Sequence, residues 1–425
     1  MSIITTSVPS PPIPTPSIDI DVLVSELAAL AAISEAPAPI VTRVVFSEAD
    51  LRARAYLKEL CHSAGLTIRQ DAIGNTFARW AGTEPDLPAV ATGSHIDAIP
   101  NAGAFDGTVG VLGGLEAIRA LQRSGYQPRR SIELVIFTSE EPTRFGIGCL
   151  GSRMLGGVLS PTSVLNLRDK EGRGLEELRS SAGFSGELDS VRLNPGHYHA
   201  FVELHIEQGP TLEFEGLDLG IVTHIAAPAS LTVTLDGEGG HAGAMLMTDR
   251  HDALAAAAEL ILALEAAAKS SGAIDTVATV GVCEVFPGAV NSVPSRVFLE
   301  IDVRDTDAAR RDQVLAALKT TAEEVTIRRS VDITIEMINA DPPATCDPNV
   351  LKAVENAIAE AGRTSKLMVS RAYHDSLFVA RFAPIAMIFI PCQGGVSHRP
   401  DEYASPEWIT AGVEILARTL AKLAS

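Results

Sequence analysis

Imidazoles and carboxylates suited to metal coordination fall in five short motifs spread along the chain: Ser94-His95-Ile96-Asp97, Phe105-Asp106-Gly107, Glu140-Glu141-Pro142, Glu203-Leu204-His205-Ile206-Glu207 and Ser397-His398-Arg399-Pro400. Each stands beside glycine, proline or the end of an apolar run. They can form one site only if distant segments deliver loops to a common edge, which an open α/β sheet does at the carboxyl ends of its strands. Two histidines, a carboxylate shared between ions, a further carboxylate and a third histidine would hold two divalent cations. Such a pair can hold both a water and a carbonyl oxygen, as amide hydrolysis requires.

The apolar pattern agrees with such a sheet. Val22, Leu23, Leu27, Leu30 and Ile33 recur at helical spacing from about Ile20, and a second helix is expected over Glu48–Ala64. Pro88–Thr92 and Ser131–Thr138 are expected to be buried strands, with a helix over Val109–Leu121 between them. That order is a βαβ unit with parallel strands. His95 and Asp97 then follow the first strand, Glu140-Glu141 follows the second, and His398 comes after a further strand, Ile385–Ile390.

The middle of the chain has a different rhythm. Ser230–Asp236 alternates with period two, as a half-exposed antiparallel strand does. An alanine-rich helix over Arg250–Ser270, strands over Thr276–Glu284 and Val297–Arg304, a helix over Ala308–Ile327 and a strand over Val331–Met337 complete the set. Because His205 and His398 flank this block, it reads as an insertion. The expected fold is an α/β catalytic domain, residues 20–227 and 340–425, with a mixed, largely parallel sheet flanked by helices. Residues 228–339 would form an α+β lid with a four-stranded antiparallel sheet and two helices, and 1–19 a flexible leader.

At 425 residues two domains are expected. The formal charge of −19 argues against nucleic acid as a partner, and no apolar run is long enough to span a membrane. Five cysteines, odd in number and without a CxxC pair, argue against a disulfide framework and for a reducing, cytoplasmic setting. Met1–Ser17 lacks the basic and apolar segments of a secretory signal.

Several residues carry specific chemical expectations. Asp97, two residues past His95, can accept the second ring N–H of that histidine and fix its tautomer. Of the adjacent pair Glu140-Glu141, one carboxylate can bind metal while the other, held off the ions, accepts a proton. Glu203, His205 and Glu207 would share one strand face, costly to bury unless it coordinates or hydrogen-bonds something. The glycine-rich stretch around His241 lacks the parts of a nucleotide loop, and His241 reads better as a donor to a developing oxyanion. Asn291 and Arg304 are candidates to grip a substrate carboxylate. His62, His197, His199, His224 and His251 lack such surroundings.

Together these motifs resemble the dinuclear metallo-amidohydrolases that cleave carbamoyl and ureido groups, within the metallo-aminoacylase and carboxypeptidase clan. The resemblance implies that His95, Asp106, His205, Glu141 and His398 ligate two metal ions, Asp106 bridging, with Glu140 as base. It implies manganese, or zinc in some members. Gln208, His241, Asn291 and Arg304 would bind substrate, with His241 reaching in from the second subunit of a homodimer joined through the inserted domain. Arg371, Tyr373 and His374, in Ser370-Arg371-Ala372-Tyr373-His374-Asp375-Ser376, are similar to the ureidoglycolate amidohydrolase version of the family. A small ureido-carboxylate substrate, (S)-ureidoglycolate, is therefore expected, with Arg371 and Tyr373 narrowing the pocket. An N-carbamoyl-L-amino acid hydrolase or an allantoate enzyme would keep the metal residues and change the pocket lining. An aminopeptidase or deacylase with the same metals and a non-enzymatic metal-binding protein remain further readings.

Overall fold

The computed structural model describes residues 15–425. By its internal contacts the chain divides into two units, the first running to Thr223 and resuming over Thr345–Met368 and His374–Ser425, the second comprising His224–Ala344 and Val369–Tyr373. Residues 224–227, 340–344 and 369–373, placed with the metal domain by the sequence reading, thus group with the second unit.

Four parallel strands form the centre of the first unit: β1 (Ala89–His95), β2 (Ile132–Phe137), β3 (Tyr198–Ile206) and β4 (Ile385–Ile390), side by side in the order β4-β3-β1-β2. Antiparallel strands extend the sheet on both sides: Thr76–Trp80 and then Thr67–Gln70 beyond β2, and Leu219–Ile225 beyond β4. β1, β2 and β4 are buried along their whole length, as strands covered on both faces must be. Helices α1 (Thr108–Arg123) and α2 (Pro406–Leu423) contribute Leu112, Leu115, Val413 and Leu416 to a core shared with these strands. The architecture is the mixed, largely parallel sheet read from the sequence.

Some local expectations need correction. The first strand does not end at Thr92. Pairing with β2 continues to His95 opposite Phe137, so the imidazole stands on the last strand residue and inherits the rigidity of the sheet. Of the expected leader, residues 1–14 lie outside the described residues. The stretch just after them is anchored: the Ser17 carbonyl accepts from Arg123, the Asp19 N–H donates to buried Glu116, and the Asp19 side chain caps the helix Ile20–Ala31.

The second unit is a four-stranded antiparallel sheet in the order Val277–Phe286, Arg296–Asp305, Ala227–Asp236, Asp332–Ala340. Helices Ala253–Ser270 and Ala308–Arg329 lie on one face. Alternate residues of the two middle strands (Leu231, Val233, Leu235; Val297, Leu299, Ile301) join Leu260, Leu264, Val314 and Leu318 in a separate core. Alternation along these strands, with one face buried, is what the period-two pattern requires.

Candidate metal centre

The carboxyl ends of the parallel strands deliver the ligand candidates. His95 ends β1, Glu140 and Glu141 follow β2, His205 is the penultimate residue of β3, and His398 follows β4. Asp106 stands just before α1, in a turn whose Gly107 has φ +65°. A Cβ at Gly107 would come within 2.5 Å of His95 Nε2, so only glycine lets the backbone pass the imidazole.

Two donor groups result, His95–Asp106–His205 and Asp106–Glu141–His398, each with its donor atoms within 4.8 Å of one another. Asp106 belongs to both. Its Oδ1 lies 3.5 Å from His95 Nε2 and 3.2 Å from His205 Nε2, while its Oδ2 lies 3.2 Å from His398 Nε2. Glu141 Oε1 lies 3.3 Å from that same nitrogen. One carboxylate therefore faces two sets of partners with different oxygens.

The surroundings favour positive charge here. His95 Nδ1 is 3.0 Å from the carbonyl of Asp97, and His205 Nδ1 is 2.9 Å from that of Ile206. A carbonyl accepts only, so each Nδ1 carries its proton and donates, leaving Nε2 to face Asp106, the arrangement of ligating imidazoles. Burial opposes a charge on His95, yet Glu140, Asp106 and Asp97 outweigh it and raise its pKa well above the ordinary value. Contacts with Asp106 and Glu141 push His398 up to about 11. Burial would raise Asp106, but three imidazoles hold it well below the carboxylate range. Among the described residues its ion-pair partners are those imidazoles, with no lysine or arginine. Such a nitrogen and oxygen donor set fits a divalent metal ion.

Glu140 belongs to neither group. Its Oε2 is 3.7 Å from His95 Nε2, and burial, reinforced by Glu141, Asp375 and Asp106, raises its pKa well above the usual value despite His95. Asp97 corrects the sequence reading. Its carboxylate accepts the backbone N–H groups of Glu140 (3.2 Å) and Glu141 (3.0 Å), and its backbone carbonyl, not its side chain, takes the His95 proton. Asp97 therefore fixes the turn that carries the two glutamates.

The strand face of Glu203 and His205 is satisfied locally. Glu203 accepts from Ser94 Oγ at 2.8 Å and from the Ser376 N–H at 3.1 Å. Glu207 lies past the strand and caps the helix Thr211–Glu215 through the amides of Thr211 and Leu212. Gln208 donates from Nε2 to Asp106 Oδ2 at 2.7 Å, and its buried Oε1 has no hydrogen-bond partner among the described residues. His374 is buried with its ring edge against His205, 4.5 Å between centroids. Cys392 is bonded to the Gly209 carbonyl rather than joined to either donor group. Two residues at the site were not singled out from the sequence: Cys149, whose thiol lies 3.4 Å from Glu140 Oε1, and Glu402, beside Asp106.

The second unit carries the other sequence candidates. His241 is exposed in its glycine-rich loop, and its Nδ1 accepts the Gly243 N–H at 3.1 Å, which leaves the proton on Nε2 as a donor. Asn291 is exposed nearby, its carbonyl accepting from the Ala242 N–H. Arg304 pairs with Asp302 through Nε and Nη2, donates from Nη1 to the Arg371 carbonyl, and lies 5.6 Å from the Tyr373 ring centroid. Arg371 pairs with Asp275.

Known proteins share this sequence and fold. A ureidoglycolate hydrolase from Arabidopsis thaliana is 53% identical over 414 residues, 96% of this chain and 87% of that protein. An N-carbamoyl-L-amino acid amidohydrolase from Geobacillus stearothermophilus is 40% identical over 93% of this chain and 96% of its own length. The crystal structure of AtUAH in complex with glyoxylate superposes with a TM-score of 0.88 at 52% identity, covering 96% of this chain and 99% of that one. The family pattern described as Peptidase family M20/M25/M40 matches residues 91–422. With most of its length matched in this way, the chain belongs to peptidase family M20/M25/M40.

Proposed function

We propose that this protein hydrolyses the ureido C–N bond of a small carboxylate, (S)-ureidoglycolate, yielding glyoxylate, ammonia and carbon dioxide. Two divalent ions, manganese with zinc as the other candidate, would be held by His95, Asp106 and His205 and by Asp106, Glu141 and His398. The observation that carries this reading is Asp106 facing both donor groups, with Glu140 close by and in neither. The name ureidoglycolate hydrolase on a 53% identical relative and glyoxylate in the AtUAH complex support the substrate.

The ions would supply Lewis acidity toward the ureido carbonyl and acidify the attacking water. Glu140, buried beside His95 and outside both donor groups, would take the proton of that water and return it to the departing nitrogen. Asp97 would hold the turn that carries Glu140 for this task, by one amide contact to Glu140 and one to Glu141. To His241, whose Nε2 keeps its proton, falls donation to the carbonyl oxygen as charge develops. Gln208, Asn291, Arg304, Tyr373 and His374 are assigned to binding and orienting the substrate, the guanidinium of Arg304 to its carboxylate.

A homodimer through the second unit belongs to this reading. It is supported by Met337 and Ile338 exposed on the outer strand Asp332–Ala340 and by Ile327, 82% exposed on the adjoining helix. A reducing, cytoplasmic setting suits five unpaired cysteines.

The test is ammonia release from (S)-ureidoglycolate, allantoate, several N-carbamoyl-L-amino acids and a dipeptide by protein reconstituted with Mn2+. Preference for ureidoglycolate supports the assignment. Preference for a carbamoyl amino acid or allantoate moves the protein within the family, and turnover of the dipeptide alone overturns ureide hydrolysis.

A further inference from the structure

We propose that Glu402 is a positioning residue that sets the gap between Asp106 and His398, and with it the affinity of the second cation position; the inference rests on the two-ion reading above. Glu402 Oε1 accepts the backbone N–H groups of Phe105 (2.7 Å) and Asp106 (3.0 Å). Its Oε2 accepts the N–H of His398 at 3.3 Å and lies 3.0 Å from Ser397 Oγ. One carboxylate thus ties together two loops far apart in sequence, and each loop carries a member of the Asp106–Glu141–His398 group. Ser397 Oγ also lies 2.7 Å from Asp106 Oδ2, closing the ring of contacts.

Four observations separate this from an ordinary buried acid. Glu402 is only 5% exposed, and burying a carboxylate is costly unless its oxygens are satisfied. Among the described residues these partners are backbone amides and a hydroxyl, not a lysine or arginine. His398 has φ +59°, a left-handed conformation that a non-glycine residue keeps only where its surroundings over-determine it, and its N–H is the one Glu402 accepts. A Cβ at Gly103 would fall 2.3 Å from the Glu402 Cβ, so only glycine at that position lets the turn pass this side chain. By holding amides rather than ligand side chains, Glu402 fixes the backbone of both loops and leaves the Asp106 and His398 donor atoms to the ion.

The experiment compares wild type, Glu402→Gln and Glu402→Ala, each stripped of metal and titrated with Mn2+ by equilibrium dialysis, with far-UV circular dichroism as the check on folding. Glutamine keeps the volume and one acceptor but turns an NH2 toward the donors of the other loop. The expected result is that wild type binds two ions while both folded variants keep one at wild-type affinity and hold the second roughly 10- to 100-fold more weakly, the scale of losing an outer-shell partner. Wild-type affinity for both ions in the variants overturns the inference. Loss of the folded signal in Glu402→Gln also overturns it, by making Glu402 a determinant of the fold. Fewer than two ions on wild type itself would remove the two-ion reading and this inference with it, a failure told apart by appearing without any substitution.

Discussion

The thiol of Cys149 lies 3.4 Å from Oε1 of Glu140, and the Cys149 N–H donates to the Glu140 backbone carbonyl at 2.7 Å. Cys149 is fully buried, and its backbone is left-handed at φ +55°. Its S–H is a weak donor that orients the glutamate on the side away from His95. Cys149→Ala is expected to lower kcat by about 3- to 10-fold with KM unchanged, the size of one modest hydrogen bond. Cys149→Ser, which keeps a donor, should recover most of the loss in steady-state assays. Equal loss in both variants would assign Cys149 to packing alone.

Glu140 itself gives a sharper contrast. It lies outside both donor groups, so Glu140→Gln should retain wild-type metal content by plasma emission analysis. Turnover should fall by about 10²- to 10⁴-fold, the range for losing a general base. Loss of an ion in that variant would make Glu140 a ligand.

The sharing of Asp106 predicts unequal effects at the metal centre. Removing His398 should empty one position, because that imidazole belongs to the Asp106–Glu141–His398 group only. On the two-ion proposal, Asp106→Ala removes the residue common to both groups and should weaken both ions, each by more than the roughly 100-fold upper range of an outer-shell loss. Calorimetric titration with Mn2+ of His398→Ala and Asp106→Ala separates one lost site from two.

What the sequence disclosed and what it withheld divide along a physical line. Ile385–Ile390 was legible to the residue because an uninterrupted apolar run is what a strand covered on both faces requires. The helix Glu48–Ser63 was legible within a residue, and Ser47 caps it through the Asp50 N–H. His95 and His205 stood out within their strand-end motifs, whereas Asp106, in an ordinary Asp-Gly turn, stood out only by following His95 by eleven residues and preceding a helix. The direction of the Asp97 carboxylate was not legible. Spacing places it beside His95, but its partners are amides of a turn some forty residues on, which only the pairing of β1 with β2 brings near. Glu402 was hidden for the same reason: a lone glutamate before α2 gives no sign that it reaches the amides of residues 105 and 106. Side chains that bond distant backbone leave no periodic trace.

The second unit offers a pH test independent of the metal centre. Glu259, on the helix Ala253–Ser270, accepts from Arg328 Nη1 at 2.9 Å and from Arg329 Nε at 2.6 Å, both at the end of the helix Ala308–Arg329. A hydrogen bond from Arg328, opposed by the cost of burial and joined by one from Arg329, lowers its pKa from 4.5 to about 2. A carboxylate whose folded pKa is depressed stabilises the fold above its unfolded pKa, and that stability is lost as pH falls toward the folded value. The window is therefore about pH 4.5 down to about 2. Both arginines are partly exposed, so solvent screening limits the contribution to about 1 kcal/mol. Glu259→Gln should lower the urea midpoint of the metal-free chain at pH 7, and the gap from wild type should narrow when both are measured at successively lower pH inside that window. A gap that stays constant down to the lowest pH would show that it does not come from the charge on Glu259, and no gap at pH 7 would show that the two arginines act through their aliphatic stems.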